Sequence, residues 1–147
     1  MTQHLEINDV SVVNVPNATA WVAEVTAACN SLSMERIMDL FTEDVVADRG
    51  FAVLVGRPQV EAYMRPVYAR YTHYELTKTL RAIDGDQIIV DARLKWKTPD
   101  HARMQHTRAL EILKVRNWKI CRWDNAAISW EEEGAGFSES HQEPVAV

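Results

Sequence analysis

Gln87-Ile88-Ile89-Val90-Asp91-Ala92-Arg93-Leu94-Lys95-Trp96-Lys97 is the stretch that decides the fold. Val90, Ala92, Leu94 and Trp96 fall on one face, and Asp91, Arg93, Lys95 and Lys97 on the other. That two-residue period marks a strand with one face buried and one face solvated or paired across strands. Immediately before it, Asp84-Gly85-Asp86 is a hairpin turn of the favoured Asp-Gly type, and Tyr74 to Ile83 alternates in the same way. After it, Thr98-Pro99-Asp100 turns the chain into a long strand from Met104 to Val115. Arg116-Asn117 turns it again into a last strand from Trp118 to Trp130. The second half of the chain therefore reads as an antiparallel meander of four long strands.

Working back toward the start, the period changes from two to about 3.6. Val60, Met64, Val67, Tyr68 and Tyr71 mark the buried side of a helix that opens at Gly56-Arg57-Pro58, where Pro58 suits a first turn and Pro66 should bend or shorten the end. Short β segments precede it from Val45, broken by Asp48-Arg49-Gly50. Ser33 caps a short helix with Ile37, Leu40 and Phe41 as its stripe. Asn17 is the expected cap of a first helix carrying Trp21, Val25, Ala28 and Leu32 on one face. Residues 1–16 read as an arm ending at Pro16, residues 17–130 as one domain, and residues 131–147 as an acidic, flexible tail. An antiparallel sheet with three helices to cover one face implies an α+β fold: a cone-shaped barrel, open at one mouth and lined by a pocket.

Bulk composition narrows the function. The chain has 147 residues, 47% apolar and 25% charged, enough for one domain with a real core. Its net charge of −5, with 16 scattered basic residues, argues against a nucleic-acid partner. No apolar run approaches the roughly 18 residues that span a bilayer. The first ten residues hold no basic-then-apolar leader, so a cytoplasmic location with no membrane partner is expected. Cys29 and Cys121 fit no metal spacing. No glycine-rich phosphate loop, Ser-His-Asp order or metal-spaced His/Cys cluster occurs, and no cofactor is expected.

Three runs resemble the SnoaL-like branch of the nuclear transport factor 2-like superfamily. Met34-Glu35-Arg36-Ile37-Met38-Asp39-Leu40-Phe41-Thr42-Glu43-Asp44-Val45-Val46 resembles its second helix and first strand. Val55-Gly56-Arg57-Pro58-Gln59-Val60-Glu61-Ala62-Tyr63-Met64 resembles the opening of its third helix. Trp118-Lys119-Ile120 followed by Trp123-Asp124-Asn125-Ala126-Ala127-Ile128 resembles its closing strand. The resemblance implies a small-molecule pocket, a homodimer through the outer sheet face, and cofactor-independent acid–base chemistry of the cyclase, isomerase, dehydratase or epoxide hydrolase kind. Its alternative is a non-catalytic binding or assembly module. At the ketosteroid isomerase positions for base, tyrosine and partner acid, this chain carries Arg49, Val25 and Ala109. The Arg-x-Asp pair of limonene-epoxide hydrolases falls on Asp91 and Arg93 in reversed order, with Asp124 as the further acid, or on Arg93 and Lys95 after a two-residue shift.

The candidate catalytic residues are Asp124, at the position of the proton-transferring aspartate of SnoaL-like cyclases, with His106 and Asp48. His106 and Arg108 share a strand face with Leu110 and Ile112, which is expected to point inward; a histidine there, beside a carboxylate, suits a general base. Asp48 fits either the pocket mouth or a turn before Gly50. Arg49 is either a solvated loop residue or an inward cation in need of an anion. Arg49, Arg108, Trp21, Tyr63, Tyr68, Trp123 and Asn125 are the candidate substrate contacts. The aromatics would bias the pocket toward flat, partly apolar ligands.

Overall fold

Helix α1 (Val15–Asn30) begins before Pro16, because Asn14 supplies the cap: its side-chain oxygen accepts from the Asn17 amide at 2.9 Å, and Pro16 sits in the first turn, where its missing N–H costs nothing. Asn17 is thus inside the helix, not its cap. Leu32, expected on the buried stripe, lies beyond the helix with φ 54°. The computed structural model describes residues 12–133; the tail beyond Glu133 and the first eleven residues, with His4 and His141, lie outside the described residues.

Ser33 caps α2 (Met34–Met38), and β1 (Phe41–Asp48) follows at once, starting four residues earlier than expected because Phe41 is a strand residue buried against Trp123. Strand β2 (Val53–Val55) precedes α3 (Arg57–Ala69), which Gly56 enters with φ 86° and which holds Pro66 inside it. Then come β3 (His73–Asp84), β4 (Gln87–Lys97), β5 (Gln105–Arg116) and β6 (Lys119–Glu131). The β5–β6 turn falls one residue later than expected: Asn117 and Trp118 both have positive φ, as a two-residue primed hairpin requires.

The six strands form one sheet in the order β2-β1-β6-β5-β4-β3. The four-strand meander is as expected, but β1 joins it parallel to β6, with Ala47 opposite Trp123 and Asp48 opposite Asp124. The sheet is mixed and unclosed, since β3 and β2 are its two edges, so the barrel is an open cone. Helix α1 lies on its concave side. The Asn30 amide donates to the Leu76 carbonyl at 2.9 Å and accepts the Leu76 N–H at 2.8 Å, imitating a strand partner at the β3 edge. Trp21, Val22, Val25 and Cys29 of α1 meet Ile37, Val45, Val60, Ile88 and Leu113 in the core.

Candidate functional site

Register explains where the cavity sits. Lys78 of β3 pairs with Ala92, Ala92 with Ala109, and Ala109 with Ala127, so one row across the concave face is a lysine followed by three alanines. Small side chains there leave the helices unfilled space beneath them. The result is a cavity of about 590 Å³, within the roughly 300–1,000 Å³ usual for small-molecule sites. Leu94 and Thr107 line it on one side of that row, with Ser129 at the end. Tyr63 and Tyr68 come from α3, and Tyr71, Tyr74, Trp96 and His101 also line it.

On the other side of the alanine row lies the densest polar cluster. Glu111 is 3% exposed, in the row formed with Val90 and Asn125. The ammonium of Lys78 reaches its Oε1 diagonally across β4, past Ala92. The span is two strand spacings, roughly 10 Å, and Ala92, which ends at Cβ, leaves the path clear on the Lys78 side. Trp123 Nε1 donates to Glu111 Oε2 at 2.7 Å and Asn125 Nδ2 at 3.1 Å. Burial pushes the Glu111 carboxyl upward, but Lys78, Trp123 and Asn125 outweigh it and hold the group below its ordinary value. Burial pushes Lys78 down, and Glu111 more than reverses that. The pair is ionised. Nearby, the Tyr68 and Tyr74 hydroxyls lie 3.3 Å apart, both held protonated by burial.

Of the residues singled out in the sequence, Arg49, Tyr63, Tyr68, Trp123 and Asn125 line the cavity, whereas Asp124, His106, Asp48, Arg108 and Trp21 do not. Trp123 and Asn125 face inward, so Asp124 between them must face outward; Arg122 grips it through two contacts of 3.0 Å. The face bearing His106, Arg108, Leu110 and Ile112 points away from the cavity, contrary to expectation: Leu110 is 54% exposed, because Ala109, Glu111 and Leu113 take the concave side. His106 Nε2 contacts Glu132 at 3.0 Å and its ring stacks on Trp130. Arg108 instead clasps Asp91, which also meets Arg81 and Arg93. Asp91 is shallow in the fold, and its low exposure comes from the arginines lying over it. Asp48 closes a turn, accepting the Gly50 amide at 2.9 Å. Trp21 packs on Trp118 and donates to its carbonyl at 3.0 Å.

Glu111, Lys78 and His101 were missed. Lys78 had a signal, since it stands between Leu76 and Leu80 on one strand face. Glu111 had almost none, because apolar residues flank it on both faces of β5. His101, in a turn region, joins the lining through Thr98, whose Oγ1 lies 2.8 Å from its Nδ1, and through edge contact with Trp96. Among the described residues no group of three or more His, Cys, Asp or Glu could hold a metal, and no helix is long and apolar enough to cross a membrane.

These titrations fix a stability profile. Glu111 and Asp91 have folded values below the ordinary 4.5 and 3.8, so their contribution is present above those values and is lost as pH falls through them. Lys78, Tyr68, Tyr74 and Cys29 have raised folded values, so theirs is present below the ordinary 10.5, 10.0 and 9.0 and is lost as pH rises beyond. Thermal melts from about pH 3 to about pH 11 should give a plateau that falls at both ends. A flat acid limb would mean that Glu111 is not held ionised.

The chain matches the SnoaL-like domain family over residues 22–123. No curated protein matches it. Among solved structures it is similar to a protein with a ketosteroid isomerase-like fold from Catenulispora acidiphila, in complex with trimethylamine, at 18% identity and TM-score 0.64, covering 72% of this chain and 83% of that one. It is also similar to an LEH-like epoxide hydrolase from M. tuberculosis, at 15% identity and TM-score 0.62, covering 74% and 80%. An NTF2-like protein of unknown function from Burkholderia pseudomallei K96243 is 14% identical at TM-score 0.64, covering 74% and 88%. At these identities the likeness is one of fold.

Proposed function

The chain belongs to the SnoaL-like domain family, and from that premise and the cavity's chemistry we propose that it is a cofactor-independent acid–base enzyme acting on a small, mostly apolar, oxygenated molecule. The observation that carries this reading is the Glu111–Lys78 pair, buried deep in a largely apolar cavity. A charged pair in such a place is costly to maintain for structure alone, and perturbed buried pairs cluster where chemistry is done. Glu111 replaces Asp124 and His106 as the proton-transferring group. It takes a proton from a substrate carbon; the electrons of that C–H bond move into the adjacent carbonyl, whose oxygen becomes an enolate. Lys78, losing its counter-charge as Glu111 becomes neutral, stabilises the new oxyanion, and Tyr68 or Tyr74 donates a further hydrogen bond. The proton then returns to another atom of the same molecule. A carboxylate held below its ordinary pKa is a weak base, so the substrate carbon must already be acidic, as in a 1,3-dicarbonyl.

A second reading, a ligand-binding module without catalysis, is favoured by the three donors already on Glu111 and by the outward placement of Asp124 and His106. The expected homodimer goes with either reading; exposed Leu110, Ile112 and Trp130 on the outer face support it.

The two readings separate in heavy water. Cyclic and bicyclic 1,3-diones are incubated with the protein, and carbon-bound hydrogen exchange is followed by NMR. The enzyme reading expects exchange above buffer, falling about 10²- to 10⁴-fold in Glu111→Gln with ligand-induced stabilisation retained. Ligand binding without exchange would replace it with the binding module.

A further inference from the structure

We propose that the cavity takes an organic carboxylate with a flat apolar body, and that Arg49 is the residue that recognises its charge. This rests on the cavity's being the ligand site and names the class of ligand; it does not depend on proton transfer.

Five charged side chains line the cavity: Arg49, Lys78, Arg70, Glu111 and Asp100. Lys78 is paired with Glu111, and Arg70 with Asp100. That leaves Arg49, which has no ion pair or side-chain hydrogen bond among the described residues, and whose Nε is buried without a partner. Three aromatic rings surround it instead: its guanidinium carbon lies 4.9 Å from the ring centre of Trp123, 5.4 Å from Tyr63 and 5.8 Å from Phe51. Rings attract the cation but offer its in-plane N–H donors no oxygen. A cation stripped of water on its ring-covered sides and given no acceptor is an incomplete site. A carboxylate completes it, since its two oxygens match the planar fork of guanidinium.

The backbone also presents Arg49 for this role. It follows β1 at a turn in which its N–H bonds the Ala52 carbonyl at 2.9 Å and Asp48 turns away to hold Gly50. The arginine therefore leaves the sheet toward the cavity while the neighbouring carboxylate, which would neutralise it, is held elsewhere. Phe51, Tyr63 and Tyr71 continue the wall beside it, suiting a flat body.

The test compares 2-naphthoate with 2-naphthamide, equal in shape and different in charge, by calorimetry and thermal shift. Naphthoate has no enolisable hydrogen, so its binding is independent of the heavy-water experiment, and each idea can fail alone. Wild type should bind the acid at least about tenfold more tightly than the amide, the scale of a charge-assisted hydrogen bond. High salt should weaken only the acid. Arg49→Gln should erase the preference, the acid losing at least about tenfold more affinity than the amide, and Arg49→Lys should restore part of it. Equal affinity of acid and amide in wild type overturns the proposal even if Arg49→Gln fails to fold. So does a preference that survives in Arg49→Gln, or binding of neither compound up to its solubility limit.

Discussion

Glu111→Leu should destabilise the protein by at least about 3–5 kcal/mol at neutral pH, the scale set by leaving the Lys78 ammonium buried with no counter-charge. The side chains of Lys78 and Glu111 are 8% and 3% exposed, so little solvent is there to compensate. The same substitution strands the Trp123 and Asn125 donors, at about 1–3 kcal/mol for each buried group left unmade. Lys78→Met leaves the carboxylate with those two donors and should cost less. The double variant should recover the charge imbalance but not the stranded donors, ending between wild type and Glu111→Leu. A denaturant-unfolding cycle of the four proteins measures the coupling.

A pH signature separates this from simple loss of packing. In Glu111→Leu the orphaned lysine has a folded pKa below its unfolded value, so the deficit is present at neutral pH and shrinks as pH rises toward the ordinary value of 10.5. A packing defect would show no such recovery. A cost under about 1 kcal/mol would mean that the pair is hydrated, which would remove the ground for assigning it chemistry.

How far the sequence foretells this site depends on which structural period carries each residue. The hairpin at Gly85 and the alternation of Val90, Ala92, Leu94 and Trp96 were legible because one face of β4 is apolar and the other charged. Ala92, Leu94 and Trp96 all line the cavity. In β5 the rule gives no answer: Leu110 and Ile112 are as apolar as Ala109 and Leu113, and only tertiary packing decides that the alanine face is inward. In β6 the rule was available and was strong enough to decide. Trp123 and Asn125 cannot share a face with Asp124, so placing the first two in the cavity excludes the third. The parallel pairing of β1 with β6 had no local signal, since partners as distant in sequence as Ala47 and Trp123 are chosen by what the whole sheet can bury. It matters for the site, because it sets the end of β1, and with it Arg49, beside Trp123.

The alanine row suggests a way to close the cavity without disturbing the pair. Ala109→Phe should abolish ligand-induced stabilisation while leaving the fold intact. Adding bulk to a packed core usually costs about 1–3 kcal/mol through forced rotamers. Ala109 instead points into open space of about 590 Å³, at the centre of a row whose neighbours, Ala92 and Ala127, also end at Cβ. A phenyl group there has that space to enter and apolar wall to cover, so its burial should offset much of the lost freedom. Its ring would lie beside the path by which Lys78 reaches Glu111, and the length of the lysine chain lets that contact persist. Thermal melts should therefore change by only a few degrees, whereas the shift produced by any cavity ligand should vanish, which corresponds to affinity falling by about 100-fold or more. A variant that folds well and still binds would place the ligand outside the alanine row. A variant that unfolds would mean that the space above Ala109 is filled by the helices, and that the concave face is a core before it is a pocket.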